Sequence, residues 1–576
     1  MTSECKLVET LSDEVASFRK LGRAPSLAGL ASKAHDGNST GRKSGRSLLR
    51  IASYIYLPIL LGAGVVQYFG GVNETVVELM SFTYTNYGLL HGGASVYADT
   101  KYGRLKGFTS ESREGREFFE FLGVPYATPP LGPDLRFQPP LPPQPWEGVK
   151  DATGYGEVCF QYDLFLQAVM GSEDCLTLNI YTPKLNSSDG RLFPVLFFIH
   201  GGMYMFGRAI DFRGNHFMDE DVVVVTINYR LNIFGFLNTG DGVIRGNMGL
   251  KDQVMALRFI REIIPSFGGD PNLITLWGES AGGASTQLHT LSPMSQGLFH
   301  RAIASSGFSL AHWSFIRKPK EQAEIFAKKV GCPTKTTEEM VACLKSLPGR
   351  KIAEVFRGTH DVLHPRLDVF APTAESGYPN ENDTDTFLTE HPRDILRRGE
   401  VRTKVPMISG VNAEEGLIYA GYFIRNETVS DQLNQDWRRH GPVLVDYEEL
   451  PSWEKDDVSK RIWNYYLGNR TIGMDTLYEV VDLFSDISFN KPLMESAIWH
   501  SRKAPLYLYV YSHRGEFGVG QIYFRLTLKF PILIDGLITN IISLFKKHVF
   551  GIEERSSITE LVTRMSKPSS SRCTLF

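Results

Sequence analysis

The chain has 576 residues, of which 42% are apolar and 12% aromatic, and its formal charge is −3. This composition suffices for a large buried core, and it excludes the basic surface that a nucleic-acid-binding protein needs. The sequence contains no internal repeat and no cluster of metal-ligating residues, so we expect neither a metal nor a cofactor.

Residues 1–50 are polar and rich in Ser, Gly, Lys and Arg, which predicts a disordered segment. Residues 51–72 contain no charged side chain, and at about 1.5 Å per residue they are long enough to cross a bilayer of about 30 Å. Basic residues precede this run and acidic residues follow it, so the positive-inside rule predicts a transmembrane signal anchor with a cytosolic N-terminus. The alternative is a cleaved signal peptide and a secreted protein. Residues 73–95 are assigned to a linker.

The apolar run Pro194–Ile199 predicts a buried strand, and it leads directly into His200, Gly201, Gly202 and Met203. A glycine-rich turn after a strand lets the backbone approach a substrate oxygen closely enough to donate N–H hydrogen bonds. We therefore predict that Gly201 and Gly202 donate to an oxyanion. A tight turn with two glycines and no catalytic role is the alternative.

A nucleophile elbow is predicted around Ser280, because the β-type run Leu273–Trp277 leads into the sequence G-E-S-A-G and then into a helix-permissive stretch. A serine on such a strained turn has positive φ and brings its backbone close to neighbouring elements. Gly278 and Gly282, two residues before and two after, must therefore be small. A helix that begins at Ala281 points its first N–H groups at the reacting centre, so Ala281 is a third predicted oxyanion donor.

Further blocks follow one another in order along the chain. They are FLGVPYA at 121–127, LRF at 135–137, EDCLTLNIY at 173–181, NYR at 228–230, GNMGLKDQ at 246–253, FGGDP at 267–271 and GLFHRAI at 297–303. With these blocks, the chain from about Tyr97 to about Gly520 resembles the type-B carboxylesterases and cholinesterases of the α/β-hydrolase fold, and the insect esterases most of all. The resemblance implies an α/β fold in which a large, mostly parallel twisted sheet carries helices on both faces, with residues 96–520 as a single domain.

In this family the triad order is Ser, acid, His. The predicted strand Pro406–Val411 runs into an acidic loop, where Glu415, beside Gly416, takes the acidic position by resemblance. Its carboxylate would hold the imidazole tautomer and stabilise the imidazolium. Glu414 is the nearest competitor, and a solvated acidic loop without a catalytic role is the alternative.

The family's histidine is missing from its expected place. Relatives carry it in a Gly-Val-x-His block after the last strand, which is predicted here at Leu506–Tyr511, but Gly518-Val519-Gly520 is followed by Gln521. Glutamine cannot accept the serine proton at neutral pH. Residues 521–576 also match no family motif, so an atypical tail is predicted. The histidines that do follow the acidic loop are His440, His500, His513 and His548. None is assigned as the base.

The resemblance also implies two short disulfide loops, Cys159–Cys175 and Cys332–Cys343, which suit an oxidising compartment. N-x-Ser/Thr sequons predict glycosylation sites on the lumenal or extracellular side of the membrane. They begin at Asn73, Asn186, Asn382, Asn426 and Asn469.

Two scaffold ion pairs are implied as well, Arg136 with Glu173 and Arg230 with Asp252. Both are expected to be partly buried and to support the site without taking part in the chemistry, because a charge left unpaired there would cost about 3–5 kcal/mol.

The sequence thus predicts a serine hydrolase that cleaves small carboxylic esters through an acyl-Ser280 intermediate, impaired in this chain because its base is missing. The loop 159–175 contains no tryptophan for cation–π contact, which disfavours choline esters. A catalytically dead adhesion or binding protein of the same fold is the rival. The retention of Ser280, Gly201 and Gly202 argues against it, and the missing histidine argues for it.

Overall fold

A computed structural model of the chain describes residues 81–163, 167–185, 190–357, 370–375 and 385–512. No helix within these ranges combines the length and the apolar character that a membrane crossing requires. The predicted anchor at 51–72 and the predicted tail at 521–576 lie outside the described residues, as do the sequons at Asn73, Asn186 and Asn382.

The strands form where apolar and β-branched residues run together, and several of them are buried over almost their whole length. They are β1 (Ser95–Thr100), β2 (Gly103–Glu111), β3 (Glu117–Pro125), β4 (Val149–Asp151), β5 (Gln161–Asp163), β6 (Ala168–Met170), β7 (Thr177–Thr182), β8 (Phe193–Ile199), β9 (Val223–Ile227), β10 (Gly269–Glu279), β11 (Arg301–Ser305), β12 (Met407–Asn412) and β13 (Leu506–Tyr511).

The helices connect these strands and cover the sheet. They are α1 (Tyr87–His91), α2 (Gly132–Leu135), α3 (Asn232–Phe236), α4 (Met248–Ile263), α5 (Ala281–Leu291), α6 (Pro319–Lys329), α7 (Thr337–Ser346), α8 (Gly349–Glu354), α9 (Pro392–Arg398), α10 (Leu417–Arg425), α11 (Glu427–Gln435), α12 (Trp437–Leu444), α13 (Ser452–Tyr466), α14 (Leu477–Ser485) and α15 (Lys491–His500). A π-helical turn, Asp486–Asn490, joins α14 to α15.

The order across the main sheet is β1-β2-β3-β7-β9-β8-β10-β11-β12-β13, with β4 beside β2. The pairings from β9 to β13 are parallel, and those from β1 to β9 along the other half are antiparallel. This confirms the predicted α/β fold. The carboxyl ends of β8, β10, β11 and β12 meet at one edge of the sheet because these strands are adjacent and parallel, and ligands bind at such edges in α/β proteins.

Among the described residues, two large buried apolar clusters stabilise the fold. The larger one contains the central strands together with α4 and α5, whose residues are almost all buried. The second lies among α10 to α14, whose apolar faces pack on one another. Helix α5 therefore belongs to the main core, whereas α10 begins a separate helical layer.

Both predicted disulfides, Cys159–Cys175 and Cys332–Cys343, are present. Each closes a short loop, over 16 and 11 positions of the chain respectively. They stabilise the fold mainly by restricting the unfolded chain.

Both predicted ion pairs are confirmed. Arg136 contacts Glu173 through two nitrogen–oxygen distances of 2.6 Å. Arg230 contacts Asp252 at 2.7 and 2.8 Å. These two-point contacts satisfy buried charges that would otherwise destabilise the fold.

Candidate active site

Ser280 lies at the turn between β10 and α5, as predicted. Its backbone has φ 54° and ψ −121°, a region that non-glycine residues rarely occupy. Two backbone hydrogen bonds hold it there: its N–H donates to Ser305 at 2.8 Å, and its carbonyl accepts from Ala284 at 2.9 Å. The side chain is therefore presented at the N-terminus of α5.

The positions around this turn require glycine, because a Cβ atom would clash with neighbouring backbone. A Cβ on Gly278 would lie 2.0 Å from the carbonyl oxygen of Gly282, and one on Gly282 would lie 2.0 Å from that of Ile199. A Cβ on Gly307 would lie 1.7 Å from the Ser280 oxygen. Gly278 and Gly282 confirm the steric argument made from the sequence, while Gly307 was not anticipated because it follows a different strand.

The loop after β8 lies against the serine. A Cβ on Gly201 would be 2.9 Å from the Ser280 Cβ. Three successive residues of this loop, Gly202, Met203 and Tyr204, have φ values of 105°, 57° and 61°. Consecutive residues in such conformations can point their N–H groups into a common anion-binding concavity.

Four N–H groups around Ser280 find no acceptor among the described residues: those of Gly201, Gly202, Met203 and Ala281. The first N–H groups of a helix have no partner within the helix, which explains Ala281. Met203 was not included in the sequence-based set, because only the two glycines of the loop after β8 and Ala281 were considered. Met203 becomes a candidate donor because of its positive φ, and no residue pattern in the sequence indicates that conformation.

Glu415 is buried at the end of β12, in the loop before α10. Its Oε1 accepts hydrogen bonds from Asn412, at 2.8 Å from the backbone N–H and 3.1 Å from the side-chain amide. The Ser306 hydroxyl also hydrogen-bonds to it. Burial raises the pKa of Glu415 to about 7, and the bonds from Ser306 and Asn412 oppose that shift.

Sequence reasoning missed Ser306 and Asn412. The Asn412 amide lies 3.3 Å from the Ser306 hydroxyl, so the two residues hold each other as well as the carboxylate. Ser306 follows β11 and Asn412 ends β12, and these strands are neighbours in the sheet. Only the strand order reveals that they meet.

A second carboxylate, Glu279, directly precedes Ser280. Burial and, to a smaller extent, the neighbouring Glu415 carboxylate together raise the pKa of Glu279 to about 8, although Glu279 is still partly exposed to solvent. The Glu279 Oε2 would lie 2.6 Å from a Cβ at Gly201, so it borders the loop after β8. Two nearby carboxylates that both resist ionisation create a place where a cation is favoured.

Of the histidines left open by the sequence, the structure describes two. His440 lies in α12 and His500 ends α15, and both are buried. Neither ring nitrogen of His500 has a hydrogen-bond partner among the described residues, so it is not joined to Ser280 or Glu415. His513, His548 and Gln521 lie outside the described residues.

The described residues contain no group of three or more His, Cys, Asp or Glu side chains placed to hold a metal ion. Of the predicted glycosylation sites that are described, Asn469 is exposed. Asn426 is half-buried, and its side chain caps α11 by accepting the N–H of Val429 at 3.3 Å.

Comparison with known proteins gives concordant matches. The model of the carboxylesterase family matches residues 94–557, past Gly520. A carboxylic ester hydrolase of Bombus ignitus is 40% identical over 456 residues, which are 78% of this chain and 80% of that protein. Venom carboxylesterase-6 of Apis mellifera is 40% identical over 427 residues, which are 73% and 75% of the two chains. The crystal structure of juvenile hormone esterase from Manduca sexta, with OTFP covalently attached, has a TM-score of 0.67 at 30% identity and covers 74% of this chain and 80% of its own.

Proposed function

Because the chain belongs to the carboxylesterase family, we propose that Ser280 is the nucleophile with which it hydrolyses carboxylic esters. The observation that carries this proposal is the backbone of Ser280, held at φ 54° and ψ −121° at the N-terminus of α5. A residue other than glycine keeps such a conformation only where the surroundings enforce it. In a serine hydrolase the strain presents the hydroxyl to the substrate.

In the proposed reaction, the Ser280 oxygen attacks the ester carbonyl carbon while its proton passes to a base. The tetrahedral oxyanion is stabilised by N–H donors, for which Gly201, Gly202 and Ala281 are proposed, together with Met203. The intermediate collapses by expelling the alcohol, which takes the proton back from the base. Water then attacks the acyl-Ser280 ester in the same way and releases the carboxylic acid.

Glu415 is proposed as the acidic member of the triad. It is the buried carboxylate at the end of β12, and Asn412 and Ser306 fix its orientation. Such a carboxylate stabilises an imidazolium that forms beside it. The base itself is unassigned, since by resemblance Gln521 stands where relatives carry the histidine.

This chain is therefore proposed to be a weak esterase. Without a base the serine hydroxyl keeps its high pKa and is a poor nucleophile. Loss of a triad member lowers turnover on the order of 10⁴–10⁶-fold, and the remaining rate comes from oxyanion stabilisation and substrate binding.

The test is prolonged incubation of the full chain with a fluorophosphonate, followed by mass spectrometry of the peptide that contains residue 280. We expect slow labelling at Ser280, none in Ser280→Ala, and unchanged labelling in Ser459→Ala, where a buried serine far along the chain is removed. A cooperatively folded chain that shows no label at Ser280 contradicts the enzymatic role and favours the rival, a binding protein of the same fold.

The domain limits and the location are also proposed. Residues 96–520 would form the esterase domain on the lumenal or extracellular side, where the two disulfides are chemically favoured. Residues 51–72 would be either a signal anchor or part of a removed signal peptide, and N-terminal sequencing of the purified protein distinguishes the two. Recovery of Met1 or its neighbours supports the anchor.

A further inference from the structure

A continuous set of buried hydrogen bonds lies behind the candidate site. The Tyr204 hydroxyl is 3.3 Å from the Ser285 hydroxyl, which is 3.4 Å from Nε2 of Gln253. The Oε1 of Gln253 is 2.9 Å from Nε2 of His289, whose Nδ1 is 2.7 Å from the Ser295 hydroxyl. All five residues are fully buried. The set connects the loop after β8 with α4, α5 and the turn that follows α5.

The donors and acceptors in this set can be assigned by counting protons. The Ser285 hydroxyl donates to the Ala281 carbonyl at 2.9 Å and to the Tyr204 hydroxyl at 3.3 Å, so these two acceptors share its single proton. The Gln253 amide donates to Ser285, and the Gln253 oxygen accepts from His289, which in turn accepts from Ser295.

This assignment requires His289 to be neutral, with its proton on Nε2. Burial lowers the pKa of His289 to about 3, so the ring is uncharged at neutral pH. Every member of the set thus takes part in at least one buried hydrogen bond, and a connected buried network of this kind restrains the segments that it joins.

Tyr204 is the member that belongs to the strained loop. Its φ is 61°, and that of Met203 is 57°. The carbonyl groups of this loop accept three backbone hydrogen bonds. The N–H groups of Met205 and Phe206 donate to the Gly202 carbonyl at 2.9 and 3.0 Å, and the N–H of Asn232 donates to the Tyr204 carbonyl at 2.7 Å. Backbone in this conformation persists only where neighbouring groups over-determine it.

We propose that Tyr204 and Ser285 are positioning residues, which hold the loop 201–204 against α5 so that the N–H groups of the loop and of Ala281 face one point beside Ser280. Ser285 is suited to this role because it bonds to the loop through Tyr204 and to the first turn of α5 through the Ala281 carbonyl. The consequence for catalysis rests on the proposed function, whereas the restraint on the loop does not.

The restraint is tested by amide hydrogen exchange on the full chain. Exchange is followed at Met205, Phe206 and Asn232, whose N–H groups donate to carbonyl groups of the loop. Tyr204→Phe removes only the hydroxyl and keeps the ring that packs on Phe236 at a centroid distance of 5.0 Å. We expect exchange at these amides to accelerate roughly tenfold, the effect of losing one buried hydrogen bond. Ser285→Ala should do the same.

Tyr447 and Ser459 provide a matched control, because they form another buried tyrosine–serine pair, at 2.7 Å. Tyr447→Phe and Ser459→Ala should leave exchange at the three loop amides unchanged. The proposal is overturned if neither Tyr204→Phe nor Ser285→Ala accelerates exchange there, or if the control variants accelerate it equally.

A second readout separates positioning from general stability. In fluorophosphonate labelling, Tyr204→Phe should lower the maximal rate constant roughly tenfold and leave the half-saturating concentration unchanged, because donor alignment affects the reacting state. Equal maximal rates in Tyr204→Phe and the parent overturn the catalytic consequence. If the parent itself is never labelled, the proposed function fails, and the exchange measurement still decides whether the network holds the loop.

Discussion

Two kinds of buried carboxylate occur in this protein. In the scaffold, Asp252 faces Arg230 at 2.7 Å and Glu375 faces Lys251 at 2.7 Å, and all four side chains are almost completely buried. At the candidate site, neither Glu279 nor Glu415 is paired with a basic side chain within the part of the chain that the structure describes. Burial raises the pKa of Glu279 to about 8 and that of Glu415 to about 7.

The difference shows what each region requires. The scaffold pairs each buried charge, since an unpaired one would destabilise the fold. The site leaves its carboxylates without a cation, and in a serine hydrolase the missing positive charge is the imidazolium that forms during the reaction. The site of this chain is thus suited to a cation that its described residues do not supply.

The largest expected change in stability is at the buried scaffold pair of Arg230 and Asp252. Asp252→Ala leaves the Arg230 guanidinium buried without a counter-charge, which should lower the free energy of unfolding by about 3–5 kcal/mol. Urea denaturation measures it. The double variant Arg230→Met, Asp252→Leu should lose much less, and equal losses in the two variants would show that the charge is not the cause.

At alkaline pH, Glu279→Gln should raise the free energy of unfolding, whereas Asp252→Ala should lower it. A carboxyl group with a raised folded-state pKa stabilises the fold fully below its unfolded value near 4.5, and that contribution is lost as pH rises through about 8. The variant has no such loss, so at pH 9 it should be more stable than the parent by on the order of 2 kcal/mol, a value discounted for partial solvent screening.

At pH 5 the difference between Glu279→Gln and the parent should nearly vanish, because the parent carboxyl group is then mostly protonated when folded. Urea denaturation at both pH values provides the comparison. A variant that is less stable than the parent at pH 9 would mean that the Glu279 charge is compensated after all.

The smallest effect is expected at an exposed ion pair. Arg116 and Asp221 lie 2.8 Å apart with side chains 37% and 45% exposed. Asp221→Ala should therefore change the free energy of unfolding by only about 0–1 kcal/mol, and less at high salt. A loss as large as that of Asp252→Ala would remove burial as the explanation for the contrast.

The sequence predicted those features that one continuous segment determines. The strand and helix around Ser280, the small residues at Gly278 and Gly282, and the buried strand before Gly201 follow from local apolar runs and local sterics. The family resemblance supplied the long-range pairs, such as Arg230 with Asp252, because each partner lies in a recognisable block.

The features that were missed depend on strand order or on backbone angles. Ser306 meets Asn412 and Glu415 only because β11 lies beside β12, and no pattern in the chain states that adjacency. Met203 becomes a candidate donor through its positive φ, which its residue type disfavours. The Tyr204–Ser285 contact likewise joins segments about eighty residues apart.

We propose that the site lacks only a base among the residues that the structure describes, and chemical rescue is the most direct test of this claim. The rate of fluorophosphonate labelling at Ser280 in the full chain should be low in plain buffer and should rise with imidazole concentration, because free imidazole can take the proton beside Glu415. Glu415→Gln should weaken that rise. Labelling that is already fast and does not respond to imidazole would contradict the claim, since a histidine of the chain would then be supplying the base.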